Sequence, residues 1–458
     1  MPERNATQIT EGVIWKQLLL FFFPILLGTF FQQLYNTVDT IIVGRFVGTR
    51  ALAAVGSAAS LISLINGFFI GLSTGASVVI SQQYGAGDRE GVKRCMTTNA
   101  VLAVLLGVMA VLVGVFCSPG LLRLIKTPES CIDDAIIYAR IYFTGTAATV
   151  IYNMGAGVLR AMGDSKRPLY FLVITCFSNI ALDLLFVLVL NLGIRGVAIA
   201  TVLSQCISAL LVIVCICRLP EDIRLKPSLT MVDPVLMRRI LLIGLPAGLQ
   251  LISFDLSNLL VQSGINSFGD ITVAAWTAFS KADSITWMVS GAFGVAITTF
   301  VGQNFGAQKY SRIRQSVRVC LVMSIAVQLL LSTLALTFRH FILGIYTTDA
   351  EVIRVGAYAM LWITPFNALF MFVEVFAGAM RGTGYSVMPT VITGSCVCVF
   401  RILWILTMVA RYHTIEMLCI VYPLSWLIAS VVFIIAYLRG TWLHKRIEIC
   451  GMEPEIKA

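Results

Sequence analysis

Charge is scarce in this chain. Asp, Glu, Lys and Arg make up 12% of its 458 residues, hydrophobic residues make up 58%, and the mean hydropathy is +0.90. Folded chains split into modest cores beyond ~250–300 residues, so no water-soluble protein can hide that much apolar side chain. The same composition excludes a disordered or collagen-like chain. Histidine is nearly absent. His340, His413 and His444 lie near the ends of apolar stretches or in the tail, and they leave no Ser/His/Asp set, no metal-ligand spacing and no phosphate loop. An enzyme is therefore not expected. Ten-residue alternating strands are also missing, which excludes a membrane β-barrel. The twelve cysteines fall mostly inside apolar stretches, and Cys396 and Cys398 do not share a helix face, so they read as apolar filler rather than a disulfide or zinc framework.

What the chain has in abundance is long apolar runs. The hydrocarbon core of a bilayer needs ~20 apolar residues at a rise of ~1.5 Å each. Twelve stretches qualify: 17–43, 52–80, 96–117, 135–158, 169–190, 196–217, 240–265, 272–300, 319–338, 353–379, 388–410 and 414–438. They are numbered here as spans one to twelve. Span two is the clearest, with no charge between Arg50 and Asp88, whereas spans four and eleven carry Arg140 and Arg401. The first apolar stretch is too long for a signal peptide and is expected to be a span. The fold class expected is an all-α polytopic membrane protein.

Lys and Arg placement sets the orientation. With the N-terminus inside, the inside segments hold 22 of the 33 basic residues and the outside loops hold 7. Both termini are expected in the cytoplasm. The net charge of +10 then reflects topology and anionic lipid headgroups, not nucleic acid.

The sequence also repeats itself. A shift of 221 residues carries Gln82-x-x-Gly85-Ala86 onto Gln303-x-x-Gly306-Ala307. It also carries Arg160-x-x-Gly163-x-Ser165-x-x-Pro168 onto Arg381-x-x-Gly384-x-Ser386-x-x-Pro389. A shift of 222 carries Pro24 onto Pro246 and Asn36 onto Asn258. Six spans per repeat is an even number, so two six-helix lobes related by a pseudo-twofold axis along the membrane normal are expected. The lobes are read as 1–217 and 239–438, with a cytoplasmic linker at 218–238 and a cytoplasmic tail at 439–458. Two facing lobes make a cavity that can open to either side, which favours a transporter over a receptor or an enzyme. The repeated loops themselves read as helix stops, tight turns and inside anchors.

Polar groups inside spans are costly, ~2.5–3.5 kcal/mol per charge on insertion scales, so each needs a reason. Gln32, Tyr35, Asn36 and Asp39 share one face of span one, and Asp255, Asn258, Gln262 and Asn266 form a similar stripe on span seven. Two matched stripes are what a water-filled cavity requires. Asn153, Lys281, Asp283 and Glu374 complete the expected cavity set. Lys281 and Asp283 are two residues apart and do not face each other, while a Lys281–Asp255 pair between neighbouring helices is open to a structural reading.

Depth selects a site among these residues. Asp183 lies ~10 Å from the outer end of span five, with Asn179 one turn further in. Thr201 and Asp39 are each ~8 Å from the outer ends of spans six and one, and Tyr138 is at a similar level. Two carboxyls in a low dielectric resist double ionisation, so the pair can hold a proton. Asp39, Asn179, Asp183 and Thr201 also offer hard oxygen ligands to Na⁺. A static lock joining four helices is the competing reading. Under the repeat these four residues map onto Val261, Phe400, Trp404 and Tyr422, so the acid cluster belongs to the first half only.

The chain resembles the multidrug and toxic compound extrusion (MATE) family over essentially its whole length. The resemblance rests on Pro24 with Gln32 and Gln33, the Asp39 that follows, the two Gln-x-x-Gly-Ala loops and the two Arg-x-x-Gly-x-Ser loops. Asn179-x-x-x-Asp183 followed by Thr201 is similar to the N-lobe cation site of the DinF-like branch. The NorM-like branch instead places Na⁺-binding acids in spans seven and ten, where Asp255 and Glu374 lie. The resemblance implies antiport by rocker-switch alternating access. Inward H⁺, or Na⁺, would drive export of bulky, often cationic organic compounds or amphipathic drugs, by a monomer in a prokaryotic cytoplasmic membrane with no cofactor. A flippase for lipid-linked precursors is the alternative within the wider superfamily. The acidic, amide-rich stripes suit it poorly, since pyrophosphate calls for a cationic cavity.

Overall fold

The computed structural model describes residues 9–125, 127–224 and 231–450. Residues 225–230 of the expected linker and 451–458 of the expected tail lie outside the described residues. The regular structure among the described residues is entirely helical. The first half holds α1 (Ile14–Ile42), α2 (Thr49–Gly85), α3 (Arg89–Leu124), α4 (Ile132–Thr144), α5 (Thr146–Ala161), α6 (Lys166–Leu184) and α7 (Gly193–Cys217). The second half holds α8 (Pro234–Asn266), α9 (Asp270–Gly306), α10 (Tyr310–Thr337), α11 (Arg339–Gly344), α12 (Ala350–Ile363) and α13 (Asn367–Gly382). After these come α14 (Val387–Thr393), α15 (Phe400–Trp404), α16 (Ala410–Tyr412), α17 (Ile415–Leu438) and α18 (Thr441–Ile449).

Among the described residues, eleven helical stretches are long and apolar enough to cross a membrane. The expected span four departs from a single helix: it consists of α4 and α5, broken at Gly145. Its counterpart in the second half, span ten, is likewise broken, by the 3₁₀ turn Thr364–Phe366 that contains Pro365. Large apolar side chains such as Phe116, Leu124, Val322 and Phe341 are more than two-thirds exposed, which only a lipid solvent makes favourable.

Local chemistry sets the helix ends. Asp88 caps α3 by accepting from the Gly91 N–H at 2.8 Å, and Asp349 caps α12 by accepting from the Glu351 N–H at 2.9 Å. The repeated Arg-x-x-Gly loops turn at Gly163 (φ 90°) and Gly384 (φ 86°), left-handed conformations in which a Cβ is strained.

Among the described residues, four segments of π-helix interrupt the α-helical spans: Val43–Val47, Leu185–Val189, Gly394–Val399 and Ile405–Val409. Asp39 and Asp183 stand just before the first two, and Arg401 sits on the five-residue α15 between the last two. Such one-turn widenings recur at functional positions because they re-aim a side chain off the regular helical register.

The chain forms two compact units, one of Phe23–Ile252 and one of Ile9–Phe22 with Ser253 onward. Their limits fall inside α1 and α8. In the first unit, the opening half of α8 packs on α2 through facing Gly-x-x-x-Gly runs, Gly71/Gly75 and Gly244/Gly248. A Cβ on Gly71 would stand 2.3 Å from the Gly248 Cα, and one on Gly75 would stand 2.3 Å from the Ile240 carbonyl oxygen. Arg239 of α8 donates to Gln82 of the first Gln-x-x-Gly-Ala loop at 2.5 Å. In the second unit, the opening of α1 packs on α9, where Phe22 stacks on Phe293 with ring centroids 4.1 Å apart. The segment before α1 is fastened there by Arg312, whose guanidinium donates to the carbonyls of Ile9, Glu11 and Gly12.

Candidate ion-coupling site

In the first unit the structure brings together the five residues expected to form the ion site. Asp39 on α1, Asn179 and Asp183 on α6, Thr201 on α7 and Tyr138 on α4 are all buried, Asn179 and Asp183 completely. The Asp39 and Asp183 carboxyls are within hydrogen-bonding reach of each other. Tyr138 stands beside both. The Thr201 hydroxyl lies 3.4 Å from Asp39 Oδ2, but its single proton goes more closely to the Val197 carbonyl, at 2.9 Å.

Both Asp183 oxygens, Asp39 Oδ1 and both side-chain heteroatoms of Asn179 find no protein donor or acceptor among the described residues. Two ionised carboxylates are acceptors only, so a hydrogen bond can join them only when one carries a proton. The pair can therefore share one proton between two acids. It also presents four carboxyl oxygens, the Asn179 amide oxygen and the Thr201 hydroxyl, a donor set of the hard-oxygen kind that Na⁺ accepts.

Sequence reasoning missed the polar floor of this site. Tyr142 lies one turn from Tyr138 on α4, with ring centroids 6.3 Å apart, and its hydroxyl accepts from Asn66 Nδ2 at 3.0 Å. Gln205, one turn from Thr201, also bonds that hydroxyl. Extending the one-face argument by four residues from Tyr138 and from Thr201 would have found both.

Other expected cavity residues divide between the units. Tyr35 is half-buried beside Tyr142 and Asp39 and is bonded to Gln32. Gln32 and Asn153 line a small polar cavity of about 80 Å³ in the first unit, together with Pro24, Tyr152, Arg160 and Pro168. Asn36 is exposed on the same helix.

In the second unit, Asn258 and Lys281 are exposed, Lys281 without an ion pair among the described residues, and Asp255 is half-buried. Gln262 donates to Asn266 along α8 at 2.9 Å. Glu374 is ion-paired to Arg381 of the second Arg-x-x-Gly loop at 3.2 Å and lies against Gly294 of α9.

Asp283 accepts from Asn367 Nδ2 at 3.0 Å and from Trp287 Nε1 at 2.8 Å, which ties α9 to α13. As a link between the two helices Asp283 is expected to be costly to remove: Asp283→Ala should destabilise the protein by about 1–3 kcal/mol, chiefly by orphaning the buried Asn367 amide. Asp283→Asn, which keeps one acceptor, is expected to cost less. Thermal unfolding of the purified variants reads the difference, and equal stability of Asp283→Ala and the parent would remove that role.

The chain matches the MatE family over residues 24–185 and again over residues 246–407, so one family pattern occurs twice in the repeat register read from the sequence. Its relatives include "Probable multidrug resistance protein YoeA" of Bacillus subtilis (strain 168), 31% identical with 95% of each chain covered. Another is "Probable multidrug resistance protein NorM" of Thermotoga maritima, 24% identical over 96% of this chain and 95% of that one. Among solved structures, the fold is shared with one described as the outward-facing conformation of a multidrug resistance MATE family transporter of the MOP superfamily. That likeness has a TM-score of 0.88 at 23% identity, with 97% of this chain and 100% of the other covered. A MOP superfamily transporter from Pyrococcus furiosus also matches at a TM-score of 0.88 and 22% identity, over 96% and 99% of the two chains.

Proposed function

The chain belongs to the MatE family, and from that premise we propose that it is a secondary active exporter. It expels bulky, often cationic or amphipathic organic compounds in exchange for a cation moving inward. The names of its relatives, multidrug resistance and multidrug export proteins, support the cargo class. The observation that carries the coupling is the Asp39–Asp183 pair, two buried acids within reach of each other, three of whose four oxygens find no donor among the described residues. Placement of both acids in the first repeat supports the DinF-like branch, and with it H⁺ as the coupling ion. The expected acids of the other branch are less free: Glu374 is engaged by Arg381.

In the resting cycle the pair is loaded from outside. A proton entering between Asp39 and Asp183 removes their mutual repulsion and creates a hydrogen bond that draws α1 toward α6. Asp39 stands between two interruptions of its helix, Pro24, which has no backbone N–H to give, and the π segment Val43–Val47. The helix can bend at either as the pair tightens. Cargo release outside and protonation then compete for one state, and opening to the cytoplasm returns the proton. The Lys and Arg distribution supports a multi-pass orientation with both termini cytoplasmic.

The driving force depends on the cargo. For a neutral compound, one proton crossing 100 mV supplies ~2.3 kcal/mol, enough for a gradient of roughly fifty-fold. A monovalent cation exchanged one-for-one with H⁺ moves no net charge, so only the pH difference drives it.

Efflux of a fluorescent organic cation from proteoliposomes, with a pH gradient and a Na⁺ gradient imposed separately, tests the reading. Efflux driven by the pH gradient alone is expected. Drive by Na⁺ alone keeps the antiport and replaces the ion. Movement under neither gradient, together with transport of a labelled lipid-linked sugar, would overturn the proposal in favour of a flippase.

A further inference from the structure

The second unit holds a buried cation that the exchange mechanism does not use. Arg401 on α15 is 1% exposed. Its Nε donates to the Ser425 hydroxyl at 3.0 Å, and the guanidinium carbon sits 4.2 Å from the centroid of the Tyr422 ring and 5.7 Å from that of Trp426. No carboxylate ion-pairs with it among the described residues. The acid in the same aromatic cluster, Asp283, is already engaged by Asn367 and Trp287. Two buried donors remain without an acceptor, Arg401 Nη2 and Trp426 Nε1.

Ring faces offset part of the cost of burying a guanidinium, but they do not accept its remaining N–H groups. A guanidinium N–H and an indole N–H left without acceptors in one buried aromatic cluster call for an acceptor with a negative charge. The position adds weight. Tyr422 is the repeat equivalent of Thr201, and Phe400 and Trp404, the two ends of α15, are equivalent to Asn179 and Asp183. All four π segments among the described residues adjoin either the acid pair or Arg401. The same backbone device thus presents acids in one unit and a lone cation in the other.

We propose that Arg401 and Trp426 form a binding site for a small singly charged anion, either a free inorganic ion or the carboxylate of an organic compound. The guanidinium supplies charge and one N–H, the indole supplies the second N–H, and Tyr422 and Ser425 fix the guanidinium plane. This site stands independently of which cation drives transport.

Bromide is the probe for a free ion and benzoate for a carboxylate on an aromatic body, each titrated at constant ionic strength against sulfate. The full chain is used, purified in nanodiscs. Bromide should give a saturable quenching component in tryptophan fluorescence that Trp426→Phe removes. Arg401→Met should weaken it at least about tenfold, the loss expected for one charge-assisted hydrogen bond. Benzoate that competes with bromide identifies the carboxylate source, and benzoate that does not identifies the free ion.

A strictly linear bromide response in the parent protein, with no benzoate binding, overturns the proposal. So does an unchanged midpoint in folded Arg401→Met. If that variant does not fold, bromide anomalous scattering from crystals of the parent chain decides. A peak between the guanidinium and the Trp426 indole supports the site, and its absence at saturating bromide refutes it.

Discussion

Asp183→Asn is expected to abolish cation-driven export while leaving the protein folded. The amide keeps the shape of the carboxyl and can donate to Asp39, so the α1–α6 contact survives in the form the shared proton would give it. What is lost is the ability to take up and release that proton. Under an imposed difference of about two pH units, each proton supplies ~2.7 kcal/mol and sustains a cargo gradient of roughly a hundredfold. The variant should sustain none.

Asp39→Asn should behave alike, and the double variant should be no worse than either single one, since the two acids act as one carrier. Proteoliposome efflux, with fluorescence-detected gel filtration as the check on folding, measures both effects. Coupled export above one-tenth of the parent rate in either single variant would sink the proton-pair mechanism and leave the pair as a static lock. A loss of folding would instead expose a structural role, which the milder Asp183→Glu would separate by recovering stability without full rate.

The second large effect is on stability. Gly71→Leu and Gly75→Leu are each expected to eliminate most of the folded protein. At both positions the first side-chain carbon meets backbone rather than a movable side chain, 2.3 Å from Gly248 Cα or from the Ile240 oxygen. Overpacking that side chains can absorb costs ~1–3 kcal/mol, and here two helix backbones must separate instead, so a cost above that range is expected. Gly56→Leu on the same helix, where a Cβ meets open space, serves as the control and should be near neutral. Yield of monodisperse protein and its melting temperature report the result. A melting temperature for Gly75→Leu within a few degrees of the parent would show that α2 and α8 are not in backbone contact.

Much of this architecture was legible in the residues. Length and hydropathy located eleven of the twelve expected spans as membrane-length helical stretches, because the bilayer imposes one thickness on all of them. Helical periodicity together with depth located the Asp39, Asn179, Asp183 and Thr201 cluster, because an intramembrane acid has few tolerable places to be. Three features escaped that reading for definite reasons. The break at Gly145 depends on backbone geometry, which an apolar run conceals. The facing Gly-x-x-x-Gly runs have a signature, but a run of small residues names no partner, and Gly244/Gly248 lie over 150 residues from Gly71/Gly75. Arg401 was visible only as a flaw in span eleven. Its aromatic setting comes from Tyr422 and Trp426 of α17, more than twenty residues further along the chain, which only folding brings beside it. Asp283 read as a cavity acid from its depth alone, and its hydrogen bonds to Asn367 and to a tryptophan one turn along its own helix appear only in the folded chain.

The division of α1 and α8 between the two compact units has a consequence for the gene. A break in the coding sequence at the 218–238 segment would yield two polypeptides of matched length, each with six spans, yet neither would encode a whole unit. The first fragment would lack residues 239–252, which complete its own unit, and the second would lack Ile9–Phe22. Separately synthesised fragments should therefore be stable only when made together, each donating half a helix to the other's unit.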